Sequence, residues 1–169
     1  AVALDNLGNL YMESRRLKDA EALRLRALDI FKAKLPAGHP HIVTALQNLA
    51  VLYQFANRNA DASRFYEEAL AGAEKSYGAQ SIQVGIIADN FAGFARASGD
   101  MEKARGLYLR AIAIFEKQSG AEHPDTVLAL QNYAIFLGEA GEHKAAEDIL
   151  RRAVAINARL YGASHVTVA

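Results

Sequence analysis

The chain has 169 residues, and its 19 Lys and Arg balance 19 Asp and Glu, so no net field draws it to nucleic acid or to an anionic membrane surface. It has no cysteine, which removes disulfides and thiol nucleophiles, and no apolar run reaches the roughly 20 residues that a membrane-spanning helix needs. With 51% hydrophobic residues and only 3 prolines, it has the apolar surface for an all-helical fold. No secretory leader stands at the start of the sequence, and a cytoplasmic location is expected.

Asn6, Asn48, Asn90 and Asn132 are spaced at a constant interval of 42 residues, and three more columns keep the same step. One is Ala20, Ala62, Ala104 and Ala146; another is Ala27, Ala69, Ala111 and Ala153; the third is Gly8, Ala50, Ala92 and Ala134. Self-similarity at this period is the mark of stacked repeats, in which each unit buries its apolar face against its neighbours. Columns of Gly and Ala alone predict places where helix backbones approach closely.

In the first repeat (about 1–38), Leu4, Leu7, Leu10 and Tyr11 form one helical stripe and Ala20, Leu23, Ala27 and Leu28 a second. The second repeat (39–80) has Leu46, Leu49, Leu52 and Tyr53, then Ala62, Phe65, Ala69 and Leu70. The third (81–122) departs most, with Ala88-Asp-Asn-Phe-Ala-Gly-Phe-Ala95 in its first helix. The fourth (123–164) has Leu130, Tyr133, Phe136 and Leu137, followed by Ala146, Ile149, Ala153 and Val154. Each repeat therefore reads as a helical hairpin. Asn57, Gly99 and Gly141 occupy one column between the paired helices, suited to a left-handed C-cap. Arg15 holds that position in the first repeat, which predicts a differently built turn. Gly78, Gly120 and Gly162 end the second helices, while Pro40 and Pro124 open first helices.

The pattern Leu-x-Asn-Leu-Gly/Ala-x-Leu-Tyr, then Ala and a second Ala seven residues on, resembles the tetratricopeptide repeat. The 42-residue period and the His-Pro-x-x-Val before the first helix resemble its kinesin-light-chain variety, most closely in Leu46–Tyr53 and His123–Val127. The resemblance covers essentially the whole chain. It implies an all-α, right-handed superhelical solenoid of four antiparallel helix-turn-helix repeats that binds proteins. It also implies that the Asn column lines a concave groove, each amide pairing with the backbone of an extended peptide. The residues leave a second role open, in which each Asn caps or bridges to the neighbouring hairpin.

Helical geometry extends that floor to the residues sharing each Asn's face. These are Asp5, Asn9 and Glu13; Gln47, Val51 and Phe55; Asp89, Gly93 and Ala97; and Gln131, Ile135 and Glu139. Thr44, Ile86 and Leu128 prolong the stripe, as do Gln54 and Arg96. The floor is polar and mildly acidic at both ends, Arg96 being its single cation, and Phe55 is expected to face the volume left by Gly93 and Ala97. A clamp for a C-terminal carboxylate would need more Lys and Arg on this face. Lys75, Lys117 and Arg159 end second helices, where the macrodipole favours cations anyway. The expected partner is an extended segment, neutral or weakly basic with one bulky apolar side chain, from another protein or from another domain of the parent chain.

No phosphate-binding glycine loop or zinc-binding His pair is present, and no catalytic role or cofactor is expected. His39, His123 and His165 share a repeat column, which places His39 and His123 on the order of 40 Å apart if each packed helix adds about 10 Å, too far to share a metal ion. A hydrogen bond to the start of the next helix is their expected role. The sequence starts directly in a first helix, and 165–169 reads as the start of a fifth repeat, so an origin in a longer repeat protein is expected. On that reading the last hairpin is uncovered around Leu150, Val154 and Ile156, and self-association through the ends is the alternative function. A regulatory arm of a larger signalling enzyme is a further one.

Overall fold

The computed structural model describes residues 1–162, and among them every element is an α-helix. They are α1 (Val2–Glu13), α2 (Leu17–Lys34), α3 (Pro40–Phe55), α4 (Asn59–Tyr77), α5 (Ile82–Ala97), α6 (Met101–Gln118), α7 (Pro124–Glu139) and α8 (His143–Tyr161). They pack in sequence as antiparallel hairpins, α1 with α2, α3 with α4, α5 with α6 and α7 with α8. The chain divides into an N-terminal body, Ala1–Ala79, and a C-terminal body, Gln80–Ala169. In the first, α2 packs on α3; in the second, α6 and α5 both contact α7.

The small-residue columns lie where the helices meet. All four residues of the Ala20 column and all four of the Ala27 column are buried, as are Gly8, Ala50, Ala92 and Ala134. The apolar stripes fill the space around them: Leu46, Leu49 and Leu52 on α3 against Phe65 and Tyr66 on α4, and Phe91 and Phe94 on α5 against Tyr108 and Ile112 on α6. Two expectations fail at the periphery. Leu7 and Leu10 on α1 are exposed although their equivalents Leu49 and Leu52 are fully buried, because α2 covers that face of α3 while no described helix of the N-terminal body covers it on α1. On α8, Leu150 and Val154 are exposed, but Ile156 is buried, since it faces inward on the same side as Ala153.

All four intra-hairpin turns share one geometry. Arg15, Asn57, Gly99 and Gly141 have φ of 57°, 55°, 88° and 79°. In each the following N–H bonds back five residues to a helix carbonyl: Arg16 to Tyr11, Asp100 to Ala95 and Glu142 to Leu137 at 2.8 to 2.9 Å, and Arg58 to Tyr53 at 2.9 Å. This is a Schellman cap, so the turn at Arg15 is built like the others; the capping bonds outweigh the ~1–2 kcal/mol that a side chain loses in the left-handed region. Pro40 and Pro124 are the first residues of α3 and α7. Before them His39 and His123 each accept the N–H two residues on at Nδ1, at 3.2 Å. These two histidines therefore cap helices, while His165 and the expected fifth repeat lie outside the described residues.

Ion pairs between successive hairpins occur at equivalent positions in the two bodies with their signs exchanged. Glu21 on α2 pairs with Arg58 at 2.8 Å, and two repeats later Arg105 pairs with Glu142. Lys32 pairs with Glu68 at 3.5 Å, and its counterpart is Glu116 with Arg152 at 2.5 Å.

Candidate functional site

The Asn column behaves in two ways. On α3, Asn48 Nδ2 donates to Asp5 Oδ2 of α1 at 2.8 Å; on α7, Asn132 Nδ2 donates to Asp89 Oδ2 of α5 at 2.7 Å. Asn is a mediocre helix former, and here it returns a charge-assisted hydrogen bond between first helices of adjacent hairpins. Asn6 and Asn90 are exposed, each next to the acceptor Asp of its own helix. Asp5 and Asp89, expected as acidic floor groups, are half-buried and hold their neighbours' amides. The second oxygen of each, Oδ1, is buried without a hydrogen-bond donor. Burial raises the pKa of Asp89 above the usual carboxylate value, against the lowering effect of the Asn132 hydrogen bond.

A buried arginine that the floor inventory did not contain lies beneath the N-terminal floor. Arg24 of α2 is 2% exposed and donates to the Asn48 carbonyl and to Asn9 Oδ1. Gly8 makes room for it: a methyl group at position 8 would sit 2.9 Å from Arg24 Cγ. The equivalent second-helix positions hold Tyr66, Tyr108 and Leu150, opposite Ala50, Ala92 and Ala134. Gly8 is thus the partner of Arg24 and not merely one more small residue. Nearby, Tyr66 donates to Gln54 Oε1 at 3.3 Å, and burial pushes its phenol up to about 12.

The remaining predicted floor residues divide by exposure. Gln47, Val51, Gln131 and Gly93 are half-buried. Arg96 is half-buried and paired with Glu139, so the floor's exposed-face cation and one of its acids neutralise each other. Large apolar side chains remain outward: Phe55 at 65% exposure, Leu128 at 56%, Ile135 at 53% and Ile86 at 46%. Phe55 borders a cleft of about 400 Å³ with Met12, Glu13, Arg15 and Leu17 in its own body. A smaller cleft of about 150 Å³ lies between α5 and α7, lined by Ile86, Asp89, Asn90, Phe115, Asp125 and Leu128. Among the described residues no cluster of His, Asp or Glu is arranged to hold a metal ion, and no helix is long and apolar enough to cross a membrane.

Helical hairpins repeating at 42 residues, with small residues at every close approach, define an all-α helical-repeat protein. The tetratricopeptide-repeat family model matches residues 1–75 and 83–159, and the chain belongs to that family. Repeats of this family are protein-interaction modules, and their fold is typically a non-enzymatic scaffold. No curated protein sequence matches the chain. Among solved structures it is similar to BtubC (BKLC) from P. vanneervenii, with 25% identity, a TM-score of 0.84, and coverage of 94% of this chain and 63% of that one. It is also similar to a Podosopora anserina protein named for kinesin light chain and for nearly identical TPR-like repeats. There the identity is 22%, the TM-score 0.85 and the coverage 98% of this chain and 79% of that one. A variant of the latter gives 21% identity, a TM-score of 0.83, and 94% and 75% coverage. The chain spans less than two thirds of BtubC, and its fold is the kinesin-light-chain-like variety of the repeat.

Proposed function

We propose that this chain binds an extended segment of a partner protein, or of another domain of its parent chain, along the exposed faces of its first helices. The observation that carries this reading is that Phe55, Leu128, Ile135 and Ile86 all project from first helices and all belong to the stripes that contain the Asn column. Apolar side chains left exposed beside polar groups with unused hydrogen-bonding capacity are the usual make-up of a peptide-binding surface. The exposed Asn6 and Asn90 amides can pair with a peptide backbone. Asn48 and Asn132 already hold Asp5 and Asp89, and their contribution to binding is mainly to fix the floor. A cytoplasmic setting and the absence of catalysis are part of this reading.

Capture from source lysate by the wild-type array is compared with capture by Phe55→Ser/Ile135→Ser and by Leu109→Ser/Leu160→Ser. The second pair is exposed on second helices and serves as the control. A partner lost with the first pair and kept with the second supports the first-helix faces. The reverse pattern overturns the reading.

A further inference from the structure

We propose that the cleft between α5 and α7 takes a cationic side chain, lysine or arginine, of an extended partner segment, with its methylenes between Ile86 and Leu128 and its charge at Asp89 and Asp125. This deepens the reading given above and rests on it. The cleft is about 150 Å³, the scale of one side chain, with apolar walls and two carboxylates among its lining residues and no Lys or Arg. Lysine and arginine have the matching form, an apolar stem with a charged tip.

The equivalent place in the N-terminal body shows how the same backbone is furnished when it supplies its own cation. There Asp5 corresponds to Asp89, but Arg24 of the same body stands close enough to Asp5 to feel its charge. The C-terminal body has Tyr108 in place of Arg24. Phe31, the counterpart of Phe115, is stacked by the His41 ring at 5.2 Å, whereas Phe115 has Asp125 at that position. Thr44 stands where Leu128 does. The two differences in the lining itself move the C-terminal cleft in one direction: an anion is gained and a wall becomes apolar. Asp125 has His123 Nδ1 at 3.4 Å, the nitrogen that accepts the Asp125 N–H, Asp89 has Asn132, and no Lys or Arg lines the cleft. Asp89 Oδ1 is buried without a hydrogen-bond donor, so the protein offsets the carboxylate only through the Asn132 amide on Oδ2.

The test uses the peptide acetyl-Ala-Ala-Arg-Ala-Ala-amide, its lysine counterpart and a control in which citrulline replaces arginine. Each is titrated into the isotope-labelled whole chain and followed by amide NMR shifts. The expected result is saturable shifts at Ile86, Asp89, Asn90 and Leu128 for the arginine and lysine peptides, with binding at least ~10-fold weaker for citrulline, since charge-assisted hydrogen bonds are lost. Asp89→Asn keeps an acceptor for Asn132 and should weaken the arginine peptide by a similar factor. Asp125→His/Leu128→Thr installs the N-terminal furnishing on a surface position and should abolish binding. Equal affinity for citrulline and arginine, shifts confined to other residues, or no response overturns the cation assignment. That failure is distinct from failure of the broader reading, which the Phe55 and Ile135 substitutions decide.

Discussion

Asn132 on α7 and Asp89 on α5 are joined by a 2.7 Å hydrogen bond from Nδ2 to Oδ2, and Asn48 and Asp5 repeat the arrangement at 2.8 Å in the other body. The Asn of a later hairpin therefore reads the Asp that precedes the Asn of an earlier one. Replacing Asn48 or Asn132 by Ala leaves a half-buried carboxylate with neither oxygen bonded, and each change is expected to destabilise by about 1–3 kcal/mol. Asn6→Ala and Asn90→Ala, at exposed positions, should fall within ~0.5 kcal/mol of wild type. Urea unfolding of the four single variants separates these outcomes, and equal effects along the column would show that the pairing does not stabilise the fold.

The Asp89 carboxylate should make stability depend on pH with an unusual sign. Its folded pKa lies above the unfolded value because burial disfavours the charge, so between the two values the folded chain binds more proton. This contribution is fully present below the unfolded pKa and is lost as pH rises through the folded one. Asp89→Asn keeps the acceptor and removes the charge, and is expected to be more stable than wild type at pH 7 and to lose this part of the pH dependence. Thermal melts between pH 3 and 7 measure it; a lower Tm for Asp89→Asn at pH 7 would mean that the charged form strengthens the Asn132 bond by more than burial weakens it.

Gly8 and Arg24 should be energetically coupled. Gly→Ala inside a helix ordinarily gains about 1 kcal/mol, yet here the methyl group meets Arg24 Cγ at 2.9 Å. Gly8→Ala is expected to destabilise by about 1–3 kcal/mol, as overpacking does, and most of that penalty should vanish in an Arg24→Leu background. A double-mutant cycle reads the coupling directly; additive effects would show that the two side chains do not share the space.

The turn at Arg15 offers a stabilising change. Arg15→Gly relieves a left-handed side chain, at some entropic cost in the unfolded chain, and should raise stability by roughly 0.5–1 kcal/mol. Gly141→Ala, at φ 79°, should lower it by about 1–2 kcal/mol. Paired melts of the two variants check both signs.

The fold was legible because its determinants repeat. Hairpins, small-residue contacts and the glycines that end the second helices each recur at one interval, so a single period reveals them. The features that escaped are those that recur every second repeat or only once. Asp5 and Asp89 alternate with Gln47 and Gln131, and that alternation was the available signal for the Asn–Asp bridges. The exchange of sign between Glu21–Arg58 and Arg105–Glu142 likewise shows only when alternate repeats are aligned. Arg24 gave a fainter signal: a charged residue in a column of Tyr and Leu, opposite the one Gly in a column of Ala. Arg15 misled because propensity disfavours it in a left-handed turn, whereas the packing of α1 on α2 imposes that turn regardless.

The central claim, that the first-helix faces are the working surface, is tested most directly by site-specific photo-crosslinking in the source cells. A benzophenone amino acid is placed at Ile135 or Phe55 on first helices, and at Leu109 on α6. The account predicts one and the same partner protein cross-linked from Ile135 and Phe55 and not from Leu109. Cross-linking of that partner from Leu109, with none from the other two positions, would contradict it.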